Sequence, residues 1–544
     1  MPGVSFYLTP ARLRRLKSVL SHLPIPELLV LTVAELLVFP ASEYAYSAVD
    51  KSPLSNYVMR HWWVWSASFA PPWLAPNAIT LLGFAAILTN FATVWIWIGD
   101  LVGPGSSWIY ASCAFGLFFY QTMDNIDGKQ ARRTGTSSPL GELFDHGLDT
   151  LNCPIGGLIQ AAAMGLGQGK YAVLCLLVPC WSMFVSTWEE FHTGTLYLGY
   201  VNGPVEGVLI AVGILVVSAI KGPEWWSLPV EQALGSFPLV PSSFKMLDLV
   251  MLFLTSAFLI AHLPLCLWNV HTVLSPPNSR RPLTSPRPAP RRNPGMTTSQ
   301  AFAQLLPIIA FSVLTVMWTF SPRSRILKDG YLEEFALVVC FLFGQLSSKI
   351  ILAQLTRGPF PFSWSLLVPL LIPAVAINTP FLRLPALIPA SFEPLYLHVT
   401  LVVSLATYSR AVYLIIDAFC SYLGIECLTI PFPNKAVEGW EPVPSSTTSR
   451  TQATLSHHQQ QQLQEERELE LEMNALGAIS PGKRSITNDN QTGQGLLNIV
   501  PLSFKGLLST GEGRKRSNTS ERERGLSAQD SNGRRVARVS PHAT

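Results

Sequence analysis

The sequence predicts an all-α polytopic membrane bundle of about ten transmembrane helices, followed by a disordered cytosolic tail. Three observations lead there. Hydrophobic residues make up 49% of the 544 and charged residues only 13%, a balance unlike that of a soluble domain. Several stretches of about 16 to 25 residues are almost free of charge, the length a helix needs to cross a hydrocarbon core of about 30 Å. From about residue 436 onward the apolar pattern stops and the chain turns polar.

The first element, 1–43, is an N-terminal extension. Arg12, Arg14, Arg15 and Lys17 precede an apolar run at 25–39 that lacks a clean small-residue cleavage site, so no cleavable signal peptide is expected. Glu27, Glu35 and bounding prolines mark 25–39 as an interfacial or re-entrant helix rather than a span. Residues 44–272 form the expected membrane core, with spans at about 77–99, 107–123, 147–167, 171–188, 205–220 and 247–269. A Pro/Arg-rich insert at 273–300 reads as disordered, and spans at about 301–320, 333–354, 361–378 and 395–420 make up a second membrane segment within 301–435. The tail, 436–544, holds a Gln/Glu-rich stretch that suits one charged helix, then Ser, Arg and Gly in low complexity.

Charge placement orients the bundle. Lys129, Arg132 and Arg133, and the arginines of the insert, fall in loops assigned to the cytosol together with both termini. The segment 321–330 runs against this, because Arg323, Arg325 and Lys328 fall on the lumenal side. The net charge of +4 is small and unevenly spread, and it implies no nucleic-acid partner. Eight cysteines show no CxxC pair or Cys/His cluster, and most sit inside apolar runs, which reads as small buried hydrophobes.

Chemistry concentrates between the second and third spans, in MDNIDGKQARRTGTSSPLGELFDHGLDT. On a helix, Asp124, Asp127, Gly128, Ala131 and Arg132 share one face, and Gly141, Asp145 and Asp149 share a face of the next. The intervening TGTSSP is turn-like. Two antiparallel helices then present four carboxylates to one cleft at the membrane edge. Such a cluster repels itself and is costly beside lipid unless cations sit within it. Hard divalent ions with oxygen ligands, Mg²⁺ or Mn²⁺, meet the need, and a pair about 3.5–4 Å apart suits in-line displacement at phosphorus. Gly128, Ala131 and Gly141 leave room either for a ligand to approach the backbone or for close helix packing. A divalent-cation transporter is the rival from another class, but its acids are expected along a path through several helices.

The string DxxDGxxAR, eight residues, then GxxxDxxxD resembles the signature of the CDP-alcohol phosphotransferase family, with every fixed position filled. VDKSPLSNYV (49–58), PPWLAPNAITLLGF (71–84) and TWEEFHTGTLYLGYVNGPVEG (187–207) are similar to its choline/ethanolamine phosphotransferase branch. The resemblance covers about 44–435. It implies transfer of phosphocholine or phosphoethanolamine from CDP-choline or CDP-ethanolamine to diacylglycerol, releasing CMP. It also implies a metal pair held by Asp124, Asp127, Asp145 and Asp149, with Asp149 as general base and His146 as the alternative base or a supporting group. Asn77 and Thr80 are expected to cap the first span and to line the cytidine site. Arg132 is expected to contact the diphosphate or a carboxylate. Glu189, Glu190 and His192 are expected either as an interfacial cap or as a wall of the headgroup or acceptor pocket. The resemblance further implies the endoplasmic reticulum or Golgi membrane and a homodimer. Synthases of phosphatidylinositol or phosphatidylglycerophosphate type are the alternative within the family.

Overall fold

The structure is a computed structural model that describes residues 48–235, 241, 243–275, 296–383, 385 and 387–430. The expected helix at 25–39, residues 276–295 of the Pro/Arg-rich insert and the tail from 436 lie outside these residues. The described chain is mostly helical and has one pair of three-residue strands, β1 (Ala48–Asp50) and β2 (Leu196–Leu198), which run parallel in register Val49 to Tyr197.

A π-turn at Ser55–Met59 leads into α1 (Arg60–Ser68), a short helix on the flank of the bundle. Trp62 donates to the Thr122 hydroxyl and Arg133 donates to the carbonyls of Ala67 and Ala70, which fasten α1 to α3. The long elements follow as α2 (Pro76–Trp97), α3 (Ser107–Thr134), α4 (Pro139–Ala163), α5 (Lys170–Thr193) and α6 (Val208–Lys221). Next come α7 (Met246–Leu274), bent by a π-turn at Ala257–His262, and α8 (Thr298–Thr319). The last are α9 (Leu332–Leu355), the short α10 (Val368–Ala376) and α11 (Glu393–Leu423). The core gathers large side chains from α5, α8 and α9, among them Phe184, Trp188, Phe311, Trp318, Phe335 and Phe343, all fully buried.

Among the described residues, seven helices are long and apolar enough to cross a membrane, fewer than the ten expected. Helices do stand at all ten expected positions, and the three that fall short do so for physical reasons. Residues 364–376, around α10, form only a short apolar helix. The other two, α3 and α4, carry the polar and charged residues of the acidic signature, which dilute their hydropathy.

Length explains how α3 tolerates that charge. Its 28 residues run about 42 Å, longer than the apolar layer. Asp124 stands about 26 Å from its start at 1.5 Å per residue, so the signature falls toward the far end of the helix. The turn between α3 and α4 is coded locally. Gly135 adopts φ 66°, which stops α3, and the Ser138 side chain accepts from the Gly141 N–H to start α4, with Pro139 at its first position.

The basic segment 321–330, which departs from the orientation rule, is partly neutralised in place. Arg325 pairs with Asp329, Lys328 donates to the Pro322 carbonyl, and the Arg323 guanidinium lies 5.1 Å from the Phe381 ring centre. Buried Glu393 then accepts from Trp318, Ser324 and the Arg325 N–H.

Candidate active site

The site forms where α2 lies against both α3 and α4. Close approach of α2 to α3 depends on Gly83, because a Cβ there would come within 2.8 Å of Met123 Cβ. One turn earlier on the same face, the Thr80 hydroxyl donates to Asp127. That contact fixes one signature carboxylate in a buried position, with Asp127 only 7% exposed.

The other three acids converge. Asp124, Asp145 and Asp149 each offer a carboxylate oxygen, and these oxygens all lie within 4.8 Å of one another. Asp145 also feels the charge of Asp127, so all four signature carboxylates occupy one electrostatic neighbourhood. In the same group, Oδ1 of Asp124 and Oδ1 of Asp145 are buried and accept no hydrogen bond. Buried anionic oxygens without a donor are what a hard divalent cation satisfies, so the donor set fits such an ion. Asp149 is held from the side: the Tyr120 hydroxyl donates to its Oδ1.

The glycines divide into two kinds. Gly157 on α4 packs against α5, where an added Cβ would sit 3.0 Å from Leu176 Cα and closer still to the Cys175 carbonyl. At the signature glycines the surroundings are open. A Cβ on Gly128 would meet only Arg132 Nη1 at 3.6 Å, and one on Gly141 only Asn77 Oδ1 and Ser138 Oγ at 3.7 Å. Packing therefore does not demand glycine at either position. Ala131 stands half-buried beside them, and Arg132 is exposed and makes no ion pair among the described residues.

Asn77 and Thr80 do not cap α2. The capping position is Ala75, with no side-chain cap bond, because Pro76 opens the helix and places both residues inside it. Asn77 instead donates to the Cys427 carbonyl at 2.9 Å, and Thr80 serves Asp127. His146 lies one residue after Asp145, and the charge that it feels most strongly is that of Glu190.

The three residues at the end of α5 point in different directions. Glu190 is buried within electrostatic reach of His146, and Glu189 accepts from Asn269 of α7 at 2.6 Å. His192 meets Gln304 at 2.7 Å and the Trp188 ring edge-on. The structure thus brings Glu190 toward the acidic cleft and sets Glu189 and His192 against neighbouring helices. Trp188 is fully buried, with its indole N–H on Ala301 and Gln304, which makes it a core residue.

Two participants were missed in the sequence. Tyr120 precedes Asp124 by one helical turn, so its place on the acidic face was readable from spacing. Cys427, by contrast, is 350 residues from Asn77, and no local pattern announces the contact.

Known proteins share this arrangement of sequence. The family model described as CDP-alcohol phosphatidyltransferase matches residues 73–237, which span α2 to α6. A CDP-alcohol phosphatidyltransferase class-I family protein of Dictyostelium discoideum is 32% identical over 404 residues, 72% of this chain and 96% of that relative. Choline/ethanolaminephosphotransferase 2 of Arabidopsis thaliana is 31% identical over 390 residues, covering 71% of this chain and 95% of the relative. Cholinephosphotransferase 1 of Saccharomyces cerevisiae is 33% identical over 346 residues, covering 61% and 81%. With the acidic signature complete and relatives matched over nearly their whole length, this chain belongs to the CDP-alcohol phosphatidyltransferase class-I family.

Proposed function

We propose that the protein transfers phosphocholine or phosphoethanolamine from a CDP-alcohol to diacylglycerol, releasing CMP and forming phosphatidylcholine or phosphatidylethanolamine. The convergence of Asp124, Asp145 and Asp149 on one point, with buried unpartnered oxygens, carries this reading. The names of the relatives supply the substrate class, since they act as choline or ethanolamine phosphotransferases. The residues 44–272 hold the catalytic core, and 301–435 supply the helices that pack behind it.

Asp124, Asp127, Asp145 and Asp149 would hold Mg²⁺ or Mn²⁺, as a pair of ions. When bound, such ions neutralise the diphosphate oxygens and the charge that develops on departing CMP. The chain's own groups do the rest. Thr80 holds Asp127 and Tyr120 holds Asp149, so neither carboxylate must be ordered when substrate arrives. Gly128, Ala131 and Gly141 let the diphosphate approach the helix backbones, and Arg132 is free to meet its charge. Asn77 and Thr80 stand on the nucleotide side. Asp149 takes the proton from the diacylglycerol hydroxyl, with His146 as its alternative, and Glu190 holds His146 in place. Glu189 and His192 belong to the outer wall of the acceptor side. The enzyme works as a homodimer in the endoplasmic reticulum or Golgi membrane, with this cleft toward the cytosol, where soluble CDP-alcohol meets membrane diacylglycerol.

The test is reconstitution. Purified protein in detergent, given diacylglycerol and CDP-choline or CDP-ethanolamine, should form phospholipid and CMP only when Mg²⁺ or Mn²⁺ is added. Movement of metal into liposomes without CMP release would sink the enzymatic reading in favour of a transporter.

A further inference from the structure

The chain does not leave the bundle at the end of α11. Gly424, at φ 68°, ends that helix, and residues 425–430 double back across the first turn of α4 toward the start of α2. The segment behaves like a strand. Ile425 and Cys427 turn inward onto Leu140, Leu143, Ile351 and Leu352, while Glu426 and Leu428 face out. Leu140 and Leu143 flank the open signature glycine Gly141 on the first turn of α4. The segment then reaches the start of α2, where Thr429 forms an antiparallel bridge with Leu74 and the Cys427 carbonyl accepts from Asn77. Under the same turn, Gln130 donates its amide to the Pro71 and Leu74 carbonyls, while its own side-chain oxygen is fully buried and accepts nothing.

The strap therefore crosses the first turns of both helices that border the nucleotide side of the cleft. It touches Asn77, whose other amide atom lies 3.7 Å from where a Cβ on Gly141 would be. We infer that residues 425–430 form the outer wall of the nucleotide site and close on a bound cytidine nucleotide, with Asn77 as the joint between strap and signature. This rests on the proposed phosphotransferase reading and extends it to a segment far outside residues 73–237. The chemistry favours such a wall. A pyrimidine base carries both donors and acceptors, and an amide such as Asn77 can answer them only if water is kept out. The first turns of α2 and α4 alone leave that side open to the cytosol.

The half-buried thiol of Cys427 reports on the closure. Full-length protein in detergent with Mg²⁺ is alkylated alone, with CDP-choline and with free choline, and the Cys427 peptide is followed by mass spectrometry. At nucleotide about ten times its dissociation constant, modification of Cys427 should slow about tenfold, and free choline should leave it unchanged. In parallel, full-length Ile425→Asp, which unseats the strap from α4, should raise the KM for CDP-choline about tenfold, the cost of one lost hydrogen-bonding contact, and leave the KM for diacylglycerol alone. Nucleotide that binds without slowing Cys427, or that speeds its modification, overturns the inference and leaves the phosphotransferase reading standing. Failure of the full-length protein to bind either CDP-choline or CDP-ethanolamine overturns both.

Discussion

The Tyr120 hydroxyl donates to Oδ1 of Asp149, joining the last aspartate of the signature to the residue one turn before the first. The contact ties α3 to α4 beside the point where Asp124, Asp145 and Asp149 converge, and it leaves the other Asp149 oxygen unengaged by Tyr120. Tyr120→Phe keeps the ring, which is buried, and removes only the donor. A hydrogen bond to a charged group is worth about 1.5–3 kcal/mol, so kcat for CMP release should fall at least about tenfold. The KM for CDP-alcohol should change little. An unaltered kcat would mean that Asp149 needs no such support.

Asp149→Asn keeps the shape and still accepts from Tyr120, but it cannot take a proton. Loss of a general base costs about 10²–10⁴ in rate, so turnover should vanish from an ordinary assay while the protein remains folded by size-exclusion chromatography. Near-normal turnover in this variant would move the base to His146, and His146→Gln would then be the informative change.

Thr80 gives a separate handle on Asp127. Thr80→Val is close to isosteric and strips the buried carboxylate of its donor. Groups that orient a metal-binding side chain typically contribute about 10–100-fold to metal affinity. The Mg²⁺ or Mn²⁺ concentration for half-maximal CMP release should therefore rise about tenfold. A metal-activation curve that does not move would take Asp127 out of the ligand set.

These contacts mark where sequence reasoning reached and where it stopped. Helical spacing alone set Asp124 and Asp127 on one face and Asp145 and Asp149 on another, because i, i+3 and i+4 positions are neighbours on a helix. TGTSSP showed the turn, since Gly135 and Ser138 act through their own backbone surroundings. The partner of Asp127 was out of reach, because Thr80 is 47 residues away and the contact depends on how closely α2 packs at Gly83. The directions of Glu189, Glu190 and His192 were equally hidden. Adjacent side chains on a helix end diverge by about 100°, and only the packed neighbours decide which one meets the cleft. Seven helices rather than ten meet the length and hydropathy of a span because α3 and α4 carry the polar and charged signature and α10 is short.

Two glycines on adjoining helices should respond oppositely to the same change. Gly157→Ala drives a Cβ into the main chain of α5 at Cys175 and Leu176, where no side chain can swing aside. Overpacking of that kind costs about 1–3 kcal/mol, so the apparent Tm in detergent should drop by several degrees. Gly128→Ala meets only the far end of the flexible Arg132 side chain, and alanine is favoured over glycine inside a helix by about 1 kcal/mol. Its Tm should hold or rise. Activity should nonetheless collapse, because the new methyl stands where the diphosphate is to approach α3. Stability and turnover would then separate within one variant, which mere packing cannot produce. Full activity in Gly128→Ala would show that the open face of α3 is not where the substrate lies.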